Sequence, residues 1–227
     1  MEVRAQQIRK EYIRTSRDTN ILTAVASCDF LIPAGQVTVI HGSSGSGKST
    51  LLNVLAGILH PTEGKVFYDG MDLYAMRDEK LSGFRNLHIG YVPQGRSAVS
   101  SLNVLENVKL PYALYEEDGS SAALEMTERF GIRDLCEVMP DCLSGGELRR
   151  MAIARALVRK PEVIFADEPT GDLDDENTKT VLDSLRQLAK EGAAVLIVTH
   201  EEEAFTYADR IFSMNAGKLS QESCRPG

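Results

Sequence analysis

Tryptophan is absent from the 227 residues, and cysteine, with 4, and proline, with 8, are sparse. The cysteines form no CxxC pair and have no histidine at zinc-ligand spacing, which excludes a disulfide scaffold and a zinc module. Cys28, Cys136, Cys142 and Cys224 are read as small hydrophobes or bystanders. No apolar run approaches the roughly 20 residues that cross a bilayer; the longest, Ala193 to Val198, has the length of a strand. The amino terminus, MEVRAQQIRKEY, lacks the apolar core of a secretory signal. The chain is therefore expected to stay in the cytosol unless another protein carries it to a membrane. Basic residues are in the minority too, 25 Lys and Arg against 33 Asp and Glu, for a net charge of -8. That argues against a broadly basic face, so no nucleic-acid partner is expected. What remains is an ordinary globular composition, 43% hydrophobic and 26% charged, long enough for one domain carrying an inserted lobe.

Short apolar, β-branched runs at Gln36 to Ile40, Val163 to Ala166 and Ala193 to Thr199 read as buried parallel strands. A helical pattern follows the first, with Leu51, Leu52, Leu55, Ile58 and Leu59 recurring until Pro61 and Gly64 stop it; Val181, Leu182, Leu185 and Leu188 follow the second. Alternating strands and amphipathic helices predict an α/β fold with a parallel-sheet core, whose ligands sit at the carboxyl ends of the strands. Val3 to Ile32 and Lys65 to Val92 are richer in alternation and turn residues and predict an antiparallel β subdomain. From Ser101 to about Val158 the pattern is helical, with Leu124 to Phe130 introduced by Ser120 and Ser121 and closed by Gly131. The expected division is one domain over 1–227, with a core and β subdomain in 1–94 and 156–227 and a helical lobe in 95–155.

Gly42-Ser43-Ser44-Gly45-Ser46-Gly47-Lys48-Ser49 matches G-x-x-x-x-G-K-[ST] in full, follows a predicted strand and opens a predicted helix, and with Thr50 makes up the expected phosphate-binding set. Glycines at these offsets let the backbone wrap a phosphate chain, so that its N–H groups and the helix N-terminus cradle the anion. Lys48 would meet the β- and γ-phosphates, and the Ser49 hydroxyl would ligate Mg²⁺. Asp167 and Glu168 end an apolar strand and so face the same crevice; Asp167 would hold the metal and Glu168 orient or deprotonate the attacking water. By itself a carboxylate pair after a strand is more often a helix start, and the phosphate loop reverses those odds.

Leu143-Ser144-Gly145-Gly146-Glu147 supports two readings. Ser144 with Glu147 forms a capping box that starts a helix. Yet two successive glycines at the first helical positions cost about 1 kcal/mol each relative to alanine. A helix terminus stripped of side chains is an anion site, and the near side of the nucleotide is already engaged by the phosphate loop. The second surface therefore points to a nucleotide held by another subunit.

GSSGSGKS, LSGGE and VIFADE, in this order and at these separations, resemble the nucleotide-binding domain of ABC ATPases over nearly the whole chain. The resemblance implies the P-loop NTPase (RecA-like) variant of the α/β fold, with ATP and Mg²⁺ as ligands. It implies a role for Gln94, in the segment Tyr91-Val92-Pro93-Gln94, toward Mg²⁺ or water and toward the membrane subunit. His200 would act on the γ-phosphate, Gly171-Asp172-Leu173-Asp174 would contact the dimer partner, and Tyr12 would stack on adenine. Ser144, Gly145, Gly146, Glu147 and Asp174 would serve the partner's nucleotide. The activity implied is that of an ATP-hydrolysing motor subunit of a membrane transporter, with a homodimer or paired ATPase subunits sharing two ATP sites. An integral membrane permease would be the partner, and the chain would lie on the inner face of the cell membrane.

Pro169 to Asp174 and Glu106 to Pro111 are similar to the small ATPases of lipoprotein release, macrolide or antimicrobial-peptide export and cell division. Three departures stand out: Leu148 follows LSGGE where a polar residue is common, Ser43 replaces a frequent proline, and Gly95 to Ser101 lacks the leucine- and proline-containing pattern of the lipoprotein-release group. A DNA-repair or chromosome ATPase would need a longer insertion between the motifs, and a ribosome-associated factor would need two tandem ATPase domains. The remaining rival uses the same engine to signal mechanically through a membrane partner to an extracytoplasmic protein, without cargo.

Overall fold

Strongly apolar five- and six-residue runs form the centre of the computed structural model, which describes residues 1–13, 21–95, 97–171 and 173–222. Asp172 of the GDLD segment, Arg96 and Cys224 lie outside the described residues. In chain order the elements are β1 (Val3–Ile13), β2 (Ile21–Ile32), β3 (Val37–His41), α1 (Lys48–Leu55), β4 (Glu63–Tyr68), β5 (Met71–Asp72), α2 (Asp78–His88) and β6 (Ile89–Val92). They continue as α3 (Val104–Ala113), α4 (Ser120–Arg129), α5 (Gly145–Leu157), β7 (Val163–Asp167), α6 (Asp175–Lys190), β8 (Ala194–Thr199), β9 (Arg210–Asn215) and β10 (Lys218–Glu222).

Two sheets result. The larger has the order β10-β9-β3-β8-β7-β6, parallel except for the antiparallel pair β9 and β10. The smaller, β2-β1-β4-β5, is antiparallel throughout. Period-two alternation divides the larger sheet between two cores. Ile164, Ala166, Val195 and Ile197 pack with α3 to α6 on one face. Val163, Phe165, Leu196 and Val198 pack with α1 and the smaller sheet on the other. With both faces covered, every residue of β7 and β8 is buried, which is why these strands read as continuous apolar runs.

The expected fold class is the observed one, but two boundaries move and two strands are added. Of the stretch Lys65 to Val92, only β4 and β5 contribute to the antiparallel sheet; Asp78–His88 is helix α2, and Ile89–Val92 joins the parallel sheet as β6. The reason is that α2 is mostly polar and buries only Leu81, so it shows little helical stripe, while β6 is an edge strand whose half-burial mimics alternation. The helix after the phosphate loop ends at Leu55 instead of running through Leu59. Gly57, with φ of 70°, closes it, and the Gly57 N–H to Val54 and Ile58 N–H to Asn53 bonds form a Schellman ending. Finally, β9 and β10 carry no sequence signal of comparable strength, because each is partly exposed. The expected lobe contains α3, α4 and nearly all of α5, since its boundary at 155 falls just inside the end of that helix.

Parallel register brings the carboxyl ends of three strands to one edge. His41 of β3 lies opposite Thr199 of β8, and Val198 of β8 lies opposite Asp167 of β7. The loops leaving these ends carry the candidate chemistry.

Candidate nucleotide-binding site

The loop between β3 and α1 is built from backbone that only glycine permits. Gly47 precedes α1 at φ 106°, and a Cβ there would sit 2.0 Å from the Ala24 carbonyl oxygen. A Cβ on Gly42 would meet the Met214 carbonyl at 2.2 Å. No side chain caps the N-terminus of α1, so its free N–H groups face the space in front of the loop. Lys48 is only 7% exposed, and its ammonium donates to the carbonyls of Gly42 at 2.7 Å and Ser43 at 3.1 Å. The charge is thus already held over the loop.

That loop forms the floor of a cavity of 860 Å³ lined by Gly42, Ser44, Gly45, Ser46, Gly47, Lys48, Ser49 and Thr50. Gln94, Glu168 and His200 close it on one side and Tyr12 on another, together with Leu22, Thr23 and Ala24. Tyr12 is half exposed, with the Lys10 ammonium 5.4 Å from its ring centre. Ser43 contributes through its carbonyl rather than as a lining residue.

Asp167, at the end of β7, is 3% exposed. Burial raises its carboxyl above the ordinary range; the Ser49 hydroxyl opposes that, as do Lys48 and Arg149 more weakly. Its Oδ1 atom is buried with no hydrogen-bond partner among the described residues. A buried acceptor left unpaired costs free energy, about 1–3 kcal/mol or more for a charged group. An oxygen so placed beside a serine hydroxyl and a phosphate cradle fits a hard divalent cation that takes oxygen ligands. The residues present therefore suit Mg²⁺, which Ser49 and Asp167 would hold, and Gln94 borders the same cavity.

Glu168 lies just beyond the strand in left-handed backbone, φ 47°, with its N–H donating to the Val198 carbonyl at 2.8 Å. That turn aims its carboxylate at the end of β8. The Thr199 hydroxyl donates to Oε2 at 3.0 Å, and His200 Nδ1 lies 3.0 Å from Oε1. The hydrogen bond and charge of Glu168 raise the His200 pKa above its ordinary value. Thr199 escaped the sequence reading because a β-branched residue in a buried strand needs no further explanation.

The LSGGE segment lies apart from the large cavity. Ser144 caps α5: its hydroxyl accepts from the Glu147 N–H at 3.3 Å, and the Glu147 carboxylate accepts from the Ser144 N–H at 2.7 Å. Asp174 likewise caps α6, accepting from the Asn177 N–H at 2.8 Å. Both carboxyls are pulled below their ordinary values, Glu147 chiefly by the Ser144 hydroxyl, which donates to it at 2.7 Å, and then by the Ser144 N–H, and Asp174 by the Asn177 N–H. Gly145 borders a separate recess of 220 Å³ shared with Gln94, Glu168 and His200. A Cβ on Gly146 would meet Leu173 Cδ2 at 3.5 Å and Arg150 at 3.9 Å, ordinary contact distances.

Arg149, like Thr199, is a residue that sequence reasoning missed. It lies on α5, is 4% exposed, and donates to five backbone carbonyls on two loops. No sequence signal could have shown this, because a carbonyl acceptor leaves no trace in residue type.

A phosphate loop, a buried metal-type aspartate and an adjacent glutamate at the carboxyl edge of a parallel sheet define a P-loop nucleoside-triphosphate hydrolase. Comparison with known proteins narrows the class. The chain matches the ABC transporter family over residues 25–171. It is 40% identical over 220 residues to the lipoprotein-releasing system ATP-binding protein LolD of Bdellovibrio bacteriovorus, covering 95% of this chain and 99% of that one. It is 37% identical over 222 residues to the macrolide export ATP-binding/permease protein MacB of Rhodopirellula baltica, covering 95% of this chain but spanning only 32% of that protein. A dimeric ATP-binding cassette in a post-hydrolysis state, bound to ADP and Pi, superimposes with a TM-score of 0.91 at 32% identity, over 99% of this chain and 100% of the other. The chain belongs to the ABC transporter family, as an ATP-binding, ATP-hydrolysing subunit.

Proposed function

We propose that two copies of this chain, or this chain and a paired ATPase subunit, close face to face on two ATP molecules and that the closure drives an integral membrane permease. The observation that carries the reading is Gly146. Its backbone is not in the left-handed region, and a Cβ would fit beside Leu173. Nothing described within the chain requires glycine there, yet glycine costs about 1 kcal/mol in a helix. A close approach from outside, the phosphates of a nucleotide bound to the partner, supplies the missing reason.

Within one chain, Tyr12 would stack on adenine, the loop from Gly42 to Thr50 would wrap the phosphates, and Lys48 would neutralise the β and γ groups. Ser49 and Asp167 would hold Mg²⁺, with Gln94 toward the metal or the water; the ion would supply positive charge against the phosphate oxygens. Glu168 would take a proton from water as its oxygen bonds to the γ-phosphorus and the bond to ADP breaks. His200 would donate to the γ-phosphate. Ser144, Gly145 and Gly146 would complete the partner's site, with Glu147 and Asp174 fixing the helix ends that approach it.

Among the described residues no helix is long and apolar enough to cross a membrane; on this reading the membrane-crossing work is done by the permease. A groove of 360 Å³ between α2, α3 and the end of α5, lined by Ile58, Leu110 and Leu114, offers the permease an apolar seat. Ile58 and Leu114 are more than half exposed there. The chain would then sit on the cytoplasmic face of the membrane. Relatives of nearly equal identity are named for lipoprotein release and for macrolide export, which agrees with a cargo choice made by the permease.

The test is complementation. Gly146→Asp should bind ATP in its own loop without turning it over, since its carboxylate would oppose the γ-phosphate of the partner's nucleotide. Mixing it with Lys48→Ala should restore activity, because one site of the mixed dimer keeps both an intact loop and an intact LSGGE segment. Mixed dimers that form and stay inactive would refute shared sites.

A further inference from the structure

Arg149 makes a connection that the proposed function leaves unused. Its guanidinium has five N–H groups, and each has an acceptor. Nε donates to the Pro169 carbonyl at 3.0 Å. One terminal nitrogen donates to Pro93 at 2.5 Å and Gly95 at 3.1 Å, the residues on either side of Gln94. The other donates to Asp167 at 2.8 Å and Glu168 at 2.5 Å. One planar, buried cation thus ties the Gln94 loop to the carboxylate segment after β7.

Its own anchor is the third part. Arg149 stands four residues after Gly145 on α5, hence on the same helical face. Gly145, Arg149, Gln94, Glu168 and His200 border the same recess. The adjacent Arg150, four residues after Gly146, reaches the Asn177 side chain at 2.5 Å, at the start of α6. The two arginines therefore brace α5 against different partners, Arg150 against α6 and Arg149 against two loops, and of the two only Arg149 reaches the carboxylate segment.

We propose that Arg149 is a positioning residue: it locks the Gln94 loop, the backbone of Glu168 and the LSGGE helix into one unit, so that a shift of α5 or of the Gln94 loop displaces the Glu168 carboxylate. The left-handed backbone of Glu168 makes this effective. Such a conformation persists only where its surroundings fix it, and the Arg149 bond to the Glu168 carbonyl is one of the fixings. Five carbonyls at loop ends could each turn to water, but a rigid fork satisfies them together only when both loops keep one spacing. The proposal rests on the reading of Glu168 as the base.

The experiment uses the full chain and two variants. Arg149→Lys keeps the charge but replaces the fork with one nitrogen, which cannot span both loops; Arg149→Met keeps the stem and removes the donors. In each folded variant kcat for ATP should fall about tenfold or more while KM stays within about threefold, the mark of a group that acts after binding. Amide exchange, read with Mg²⁺ and a non-hydrolysable ATP analogue, should show residues 93–95 and 168–171 protected by nucleotide in the wild type and no longer protected in Arg149→Lys. A merely structural strut would lower the melting temperature and leave kcat per folded molecule unchanged. That outcome, or failure of both variants to fold, would overturn the proposal. Glu168→Gln, run alongside, separates the two readings: if it turns over normally the base assignment fails, whereas the exchange data judge the clamp itself.

Discussion

His200 Nδ1 lies 3.0 Å from Glu168 Oε1, so the residue proposed for the γ-phosphate and the residue proposed as base hold each other in this structure. The histidine side chain is 71% exposed and the glutamate 12%. Glu168 is therefore the fixed partner, anchored by Thr199, and His200 the one free to swing. On the proposed roles, nucleotide entry would draw the ring from the carboxylate to the phosphate and uncover Glu168.

The pair makes a titration prediction. Glu168 raises the His200 pKa above its ordinary value of 6.5, so the contact favours the protonated ring. Its stabilising contribution is complete below pH 6.5 and is lost as pH rises through the raised value. Followed by NMR, the His200 midpoint should lie above 6.5 in the wild type and move down in Glu168→Gln. An unchanged midpoint would show that the contact does not persist in solution.

Thr199→Val should separate the anchoring of Glu168 from its chemistry. Valine keeps the β-branched shape in a fully buried position and removes the hydroxyl that donates to Glu168 Oε2. A hydrogen bond to a charged group is worth about 1.5–3 kcal/mol, so kcat should drop by about tenfold or more with ATP affinity unchanged. Steady-state kinetics beside calorimetric binding will tell; equal kcat values would mean that other contacts place the carboxylate.

The glycines should respond in opposite ways. Gly47→Ala puts a Cβ 2.0 Å from the Ala24 carbonyl in backbone that alanine avoids, and it should abolish ATP binding or folding. Gly146→Ala meets only ordinary contacts, so monomer stability should rise by up to about 1 kcal/mol through helix propensity. Its ATP turnover should nevertheless fall, because the added methyl occupies the partner's phosphate approach. Thermal melts and ATPase rates on the same samples check both; a fully active Gly146→Ala would deny the shared site.

Glu168→Gln should trap a closed dimer. Glutamine keeps the shape and loses the base, leaving the loop, Ser49 and Asp167 in place. ATP at about 100 times its dissociation constant, binding only the closed form, contributes about 2.7 kcal/mol per site. Two sites give about 5.4 kcal/mol, or about four powers of ten in the dimerisation constant. Light scattering should show an ATP-dependent dimer in the variant, and wild-type dimers should be short-lived. A variant that binds ATP tightly and remains monomeric would show that closure requires the permease.

Mg²⁺ removal provides an independent check on Asp167. If its unpaired Oδ1 is a metal ligand, Asp167→Asn should weaken the Mg²⁺ dependence of ATP binding while leaving metal-free binding little changed. Equal Mg²⁺ dependence in both proteins would assign the buried carboxylate a structural purpose instead.

The amino-acid order by itself determined the local chemistry. The loop from Gly42 to Ser49, the apolar strand ending in Asp167-Glu168 and the Ser144–Glu147 cap are short-range patterns, and each needs only neighbouring residues to state what its backbone must do. The alternation of buried strands and helices fixed the fold class for the same reason. Tertiary structure decided the rest. It moved 78–88 into a helix and 89–92 into the parallel sheet, because a polar helix and an exposed edge strand owe their form to neighbours. It turned His200 onto Glu168, held Glu168 with Thr199 and, through Arg149, joined α5 to loops 54 to 56 residues earlier and 18 to 20 residues later. Those acceptors are backbone carbonyls, present at every residue alike, so their selection depends on where the folded chain brings them together.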